Sequence, residues 1–182
     1  MTPNCLEALQ LACREGKNLD YVFFWGHQAR AGGQLGPSCL SQWWPASFAL
    51  DGVCYQTAEH YMMAEKARLF GDDEMRGEIL AAEHPAEAKA LGRRVSGFDG
   101  AVWAARRFDI VVAGNVAKFG QDEGLRAYLL GTSSRVLVEA SPVDRIWGIG
   151  LAADDERAKN PLRWRGLNLL GFALMEARHK LA

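Results

Sequence analysis

A chain of 182 residues is long enough to bury about 70% of its unfolded surface in one domain, with no covalent staple needed. A net charge of −1, with 49% hydrophobic and 24% charged residues, excludes the long basic track on which sequence-independent nucleic-acid binding depends; no apolar run is long enough to cross a bilayer. Cys5, Cys13, Cys39 and Cys54 form no C-x-x-C pair and the N-terminus has no basic segment followed by an apolar block, so a cytoplasmic protein with reduced thiols, no signal peptide and no zinc site is expected.

Taken in order, residues 4–16 read as a peripheral helix capped by Asn4, with Cys5, Leu6, Leu9 and Cys13 on one side and Gly16 as the stop. Residues 21–25 are aromatic and β-branched, a strand, and the three glycines and one proline of HQARAGGQLGPSC mark residues 28–38 as a flexible loop. Asp51-Gly52 between two apolar runs predicts a type I′ hairpin that leads into a helix capped by Thr57. Asp72 caps a second helix to about Ala82 with Met75, Ile79 and Leu80 inward, and His84-Pro85 restarts a helical segment that Gly92 ends. The longest helix spans 101–119, with Trp103, Arg107, Ile110, Val111 and Lys118 at helical spacings; Gly114 weakens it by about 1 kcal/mol relative to alanine. Asp122 caps a helix with Leu125, Tyr128 and Leu129 on its apolar face. Residues 135–139 alternate like a strand, 143–150 look like a second short extended segment, 151–163 are loop-like, and 165–181 form a helix with Leu167, Leu170, Leu174 and Ala177 inward. With no internal repeat and no βαβ rhythm, the expected fold class is α+β, a predominantly helical single domain over residues 1–182 with small β-hairpin elements.

The chemistry gathers in YQTAEHYMMAEKARLF, residues 55–70. Stepping about 100° per residue from Glu59, positions 62, 63 and 66 return to the same side, so a carboxylate and an amine bracket two methionines on one helix face. At a rise of roughly 1.5 Å per residue Glu59 and Lys66 stand about 10 Å apart along the axis, too far for an ion pair but within reach of one small ligand between them. The alternative is that Met62 and Met63 are core and both charges snorkel to water. No G-x-S-x-G elbow, P-loop or H-E-x-x-H is present, and His27, His60, His84 and His179 are dispersed, so no metal site and no cofactor are expected. What remains is Glu59, Lys66, Lys118 and Asp144 embedded among apolar residues, with Trp103 and Trp147 near two of them in sequence. Desolvation in such surroundings raises a carboxyl pKa and lowers that of an amine, the shifts that acid catalysis and imine chemistry require. Asp144 read by itself is equally a turn residue beside Pro142, and the tryptophans are equally core packing.

The stretches YQTAEHYMMAEKA, the 103–119 segment ending AKFG, DRIWGIG and NLLGFALMEAR strongly resemble the YbiA-like, or NADAR, family of N-glycosidases, over about residues 21–181 and in the same motif order. The resemblance implies a mainly helical α+β fold and hydrolysis of an N-glycosidic bond to a ribose phosphate. Two substrate classes occur in such proteins: ribosylamino-pyrimidine phosphates, which are riboflavin-biosynthesis intermediates, and ADP-ribose attached to guanine in nucleic acid. Carried over by motif, the family's acidic residue before His-Tyr is Glu59 and its lysine seven residues on is Lys66. The tryptophan opening the long helix is Trp103, and the aspartate before the Trp-Gly motif is Asp144, followed by Trp147 and Gly148. Ile149 stands where some relatives carry an acidic residue, which leaves substrate choice open. The resemblance implies that Lys66 holds the sugar as a Schiff base while Glu59 moves the protons. It also makes Trp103 or Trp147 a stacking surface and Arg93, Arg107 or Lys118 the phosphate ligand. A non-catalytic module that binds ADP-ribose or a related nucleotide is the competing reading.

Overall fold

The computed structural model describes residues 3–29, 32 and 34–182, so residues 30, 31 and 33 of the glycine-rich loop expected at 28–38 lie outside the described residues. Helix α1 (Leu6–Arg14) precedes strand β1 (Tyr21–Phe24), and the hairpin β2 (Phe48–Leu50) and β3 (Val53–Tyr55) leads into α2 (Ala58–Leu69). There follow α3 (Asp73–Ala81), α4 (Pro85–Gly92), α5 (Gly100–Gly120), α6 (Glu123–Gly131), β4 (Val136–Glu139) and α7 (Leu169–Leu181). The fold is α+β and predominantly helical, as expected. Among the described residues no helix is long and apolar enough to cross a membrane.

Local chemistry fixes most helix starts. The Oγ1 of Thr57 accepts from the His60 N–H at 3.4 Å, and the carboxylates of Asp72, Asp99 and Asp122 cap α3, α5 and α6 in the same way. At the hairpin, Asp51 and Gly52 both take positive φ, 51° and 77°, the pair of values a type I′ turn requires. Asn4, by contrast, does not cap α1: Cys5 is the N-cap and makes no side-chain bond. The helix is held by packing instead, with Leu9 fully buried and the Gln10 side-chain amide donating to the Pro161 carbonyl at 3.2 Å. That carbonyl belongs to the second of two short 3-10 turns, Glu156–Lys159 and Pro161–Arg163, within the segment expected to be loop.

Strands β1 and β4 pair in parallel, Tyr21 with Val136 through Phe24 with Glu139. The sequence carries no βαβ rhythm because the crossover runs through the hairpin and helices α2 to α6 rather than through one helix. Residues 143–150 are not a strand, contrary to expectation. They form a turn-rich loop whose Ile149 N–H donates to the Glu139 carbonyl at 2.9 Å, while the Ile149 and Gly148 carbonyls accept from Arg165 and Asn168 at 2.9 and 3.1 Å. Because residues 165–168 are used in that pairing, α7 starts at Leu169 and not at 165, and Leu167 is 42% exposed instead of inward. Asn168, at φ 55°, completes the junction: its amide nitrogen donates to the Leu137 carbonyl at 2.9 Å and its amide oxygen accepts from the Glu139 N–H at 3.0 Å.

Helix α2 lies inside the molecule, packed by α3, α4 and α5, and Ala58 through Ala64 are all buried. Such close helix approach depends on glycine. A Cβ at Gly114 of α5 would collide with the ring of Tyr61, and one at Gly92 would collide with the side chain of Met63. Helix propensity alone predicts that Gly114→Ala stabilises the protein by about 1 kcal/mol. The rigid Tyr61 ring reverses the sign, and a net loss of about 1–3 kcal/mol is expected in urea or thermal melting. A higher melting temperature for the variant would show that α5 and α2 can separate without cost.

Candidate functional site

One face of α2 looks into a cavity of about 330 Å³. Glu59, Met62, Met63 and Lys66 all line it, so the two methionines are both core, at 4% and 8% exposure, and cavity wall. The methionine half of the alternative posed by the spacing holds, but Glu59, 3% exposed, does not snorkel to water. Helix α4 contributes Lys89, Gly92 and, just past its end, Arg93; Trp103 stands in the first turn of α5; Asp144 and Trp147 come from the loop after β4. Six of the residues singled out in the sequence thus meet: Glu59, Lys66, Arg93, Trp103, Asp144 and Trp147.

Three do not line the cavity. Lys118 is 1% exposed, and its Nζ donates to the Cys39 and Ser41 carbonyls, both at 2.8 Å. It is corrected from phosphate ligand to anchor of the 39–43 segment, since its Nζ is held inside the protein by two backbone carbonyls and lies outside the cavity lining. Burial pushes its pKa down to about 7. Arg107 faces elsewhere on α5, outside the cavity lining, and its Nε is buried without a hydrogen-bond partner. Gly148 serves packing: a Cβ there would stand 2.9 Å from the Glu139 carbonyl and 3.0 Å from Ser141 Cβ.

The 39–43 segment that Lys118 anchors supplies wall residues the sequence reading did not assign, Gln42 and Trp43. The Gln42 carbonyl accepts from the Glu59 N–H at 3.0 Å, and its side-chain oxygen accepts from buried Asn115 at 3.0 Å, which ties this wall to the first turn of α2. Lys89 and Glu139 were also missed. Glu139 had a signal, a carboxylate at the end of the apolar run VLVEA, but only the parallel pairing of β4 with β1 and the docking of the 144–150 loop reveal that it faces a cavity.

The electrostatics follow from burial. Glu59 is 3% exposed with Oε1 unpartnered, and desolvation pushes its pKa up to about 7 against the pull of Lys89 and a hydrogen bond from the Trp43 indole. Lys66 is half-buried; its Nζ donates to the Gly92 carbonyl at 2.6 Å and lies 4.2 Å from the Phe98 ring centroid, and burial holds its pKa below the ordinary value. Asp144 is a turn-former, its Oδ1 accepting from the Ile146 and Trp147 N–H groups at 2.8 Å each, while the residue still borders the cavity. His60 is satisfied inside the protein, Nδ1 against Thr57 Oγ1 at 2.8 Å and Nε2 against the Ala82 carbonyl at 3.1 Å. Larger depressions of about 690 Å³ beside α1 and near the end of α7 lack this pairing of buried carboxyls with a depressed lysine.

Trp103 is half-buried and lines the cavity, its ring centroid 5.9 Å from Lys66 Nζ. If it stacks, Trp103→Ala raises the dissociation constant of a substrate analogue by the equivalent of about 1–3 kcal/mol. Thermal melting run alongside separates this from packing: a large fall in melting temperature with unchanged affinity would make the ring a core residue.

Residues 23–182 match the NADAR domain family. The chain is 43% identical over 165 residues to N-glycosidase R617 of Acanthamoeba polyphaga mimivirus, covering 88% of this chain and 95% of that protein. It is 34% identical over 139 residues to N-glycosidase YbiA of Escherichia coli K12, covering 76% and 77%. The NMR structure of YbiA superposes with a TM-score of 0.70 at 29% identity, over 89% of this chain and 84% of that one. A third relative is the chloroplastic riboflavin biosynthesis protein PYRR of Zea mays, 34% identical over 72% of this chain but only 20% of that protein.

Proposed function

Since the chain belongs to the NADAR domain family and is, like its relatives R617 and YbiA, an N-glycosidase, we propose that it hydrolyses the bond between C1 of a ribose phosphate and an exocyclic amine of a pyrimidine. The observation that carries this reading is the shared wall of the cavity. Burial raises the Glu59 carboxyl to about 7 and lowers the Lys66 amine from its ordinary value, the directions that proton transfer and imine formation need. A volume of about 330 Å³ is at the low end for small-molecule sites, which favours a ribosylamino-pyrimidine phosphate over ADP-ribosylated guanine in nucleic acid. The resemblance to PYRR is in keeping with a riboflavin-biosynthesis intermediate.

Opening the ribose ring of such a substrate yields an imine at C1. Neutral Lys66 attacks that carbon, the C1 bond to the heterocycle breaks as the leaving nitrogen takes a proton, and water then releases the sugar from the lysine. Glu59 moves protons, Trp103 or Trp147 stacks on the ring, and Lys89 on α4 with Arg93 just past its end, spaced i,i+4, meet the phosphate. A module that only binds nucleotides has no use for a buried carboxyl with an unpartnered oxygen, since leaving one costs stability. The four free cysteines of the chain suit a reducing compartment such as the cytoplasm.

Incubation of the purified protein with a ribosylamino-pyrimidine phosphate and, separately, with an ADP-ribosylated guanine oligonucleotide tests the proposal. Ribose phosphate released from the first faster than ADP-ribose from the second is the expected result. Preference for the oligonucleotide would reassign the substrate, and no product from either would favour the binding module.

A further inference from the structure

Outside the residues to which the family resemblance points, two more ionisable side chains border the same cavity, Lys89 and Glu139, and the second has no task in the reaction as written above. Glu139 ends β4, and its backbone is fixed from both sides: its N–H donates to Asn168 at 3.0 Å and its carbonyl accepts from Ile149 at 2.9 Å. That frame aims the carboxyl inward, where Oε2 is buried with no hydrogen-bond partner, as is Glu59 Oε1. The charged groups that face Glu139 are Asp144 on the following loop, Glu59 on α2 and Lys89 on α4; Glu59 is faced by Lys89, Asp144 and Arg93. Two carboxyls in one water-poor pocket with a further acid beside them do not both ionise readily.

We propose that Glu139 is the second proton carrier of the reaction, sharing one proton with Glu59 across the cavity so that one carboxyl acts as acid while the other acts as base. The inference rests on the hydrolysis proposed above. When the bond from Lys66 Nζ to C1 forms, Nζ must lose a proton; when the bond from C1 to the heterocycle breaks, the leaving nitrogen must gain one. The ionised member of the pair takes the first and the protonated member gives the second, so the pair ends the step still holding one proton. In release, water loses a proton as its oxygen bonds to C1, and Nζ regains one as it departs, by the same exchange. A single carboxyl would have to complete each transfer before starting the next. Burial raises Glu139 to about 8, with Asp144 and Glu59 adding to the rise, and Glu59 to about 7, so between those values the pair mostly holds one proton.

Two readouts test this. Carbon-13 NMR of protein labelled at glutamate side-chain carboxyls should show two groups titrating far above the ordinary range in the wild type. In Glu139→Gln one of these is lost, and the other moves to lower pH because its like-charged neighbour is gone. With a ribosylamino-pyrimidine phosphate as substrate, kcat in Glu139→Gln should fall by about 10²-fold or more and its bell-shaped pH profile should lose one limb. Glu139→Asp, which keeps a carboxyl one methylene back, should recover part of the rate and both limbs. Glu139 titrating in the ordinary carboxylate range would overturn the proposal, as would Gln and Asp variants equally slow with an unaltered profile, which is the mark of packing alone. An active wild type alongside an indifferent Glu139→Gln would overturn this inference only. A wild type that releases no ribose phosphate would remove the reaction and this inference together.

Discussion

Lys66→Arg should abolish covalent capture of the sugar. Borohydride added to the wild type during turnover is expected to reduce the lysine–sugar imine to a stable amine, giving a mass increase on the tryptic peptide that holds Lys66. The guanidinium of arginine keeps the positive charge but forms no such imine, and turnover should fall by about 10⁴-fold or more, the scale on which loss of a covalent nucleophile is felt in other hydrolases. The reacting species is the neutral amine, so an ordinary lysine with a pKa of 10.5 would be almost wholly protonated near pH 7. Burial lowers that value, and Glu59, buried and largely protonated below about pH 7, does not pull it back. The hydrogen bond to the Gly92 carbonyl and the face of Phe98 favour the ammonium and limit the shift. The single-turnover rate of trapping should therefore rise with pH until Lys66 is neutral. Wild-type hydrolysis by a folded Lys66→Arg protein would reduce the residue to a charge at the cavity mouth.

Glu59→Gln keeps size and polarity and removes proton transfer, so kcat should fall by about 10²- to 10⁴-fold. Stability should move the other way, and its sign discriminates. The folded-state pKa of Glu59, about 7, lies above the unfolded value of 4.5, so protonated Glu59 suits the fold and the contribution is lost as pH rises through 7. At pH 9 the wild type holds a buried carboxylate that the glutamine variant lacks, and the variant should be the more stable by about 3 kcal/mol, with little difference at pH 4. Denaturant melts at the two pH values check this. A variant equally stable at both would mean that Glu59 is solvated in the native state, and near wild-type turnover would remove it from the reaction.

How much of this was legible in the chain differs from element to element. The side chains that start helices act within one turn, so Thr57, Asp72 and Asp122 announced α2, α3 and α6, and Asp51-Gly52 announced the hairpin. The stripe of Glu59, Met62, Met63 and Lys66 was legible for the same reason, since helical periodicity alone puts those residues on one face. Where bonding is non-local the reading failed. The loop of residues 143–150 resembles a strand in composition, yet its hydrogen bonds go to Glu139, Arg165 and Asn168, and the same demand on 165–168 delays α7 and exposes Leu167.

The sequence by itself determined the class of fold, the helix faces and the residue types able to do amine and carboxyl chemistry, because these depend on propensity, capping and period. Only the tertiary structure decided which of those residues meet. Lys118 and Arg107 lie at helical spacings on α5 as promising as that of Trp103, but the packing of α5 sends Lys118 inward to the Cys39 and Ser41 carbonyls and Arg107 away from the cavity. Glu139, 80 positions from Glu59 in the chain (139 − 59), shares a cavity with it because β4 lies in register beside β1 and the 144–150 loop folds back on the strand end. The pKa shifts on which the chemistry depends follow from that closure, for desolvation is a property of what surrounds a group and not of its neighbours in sequence.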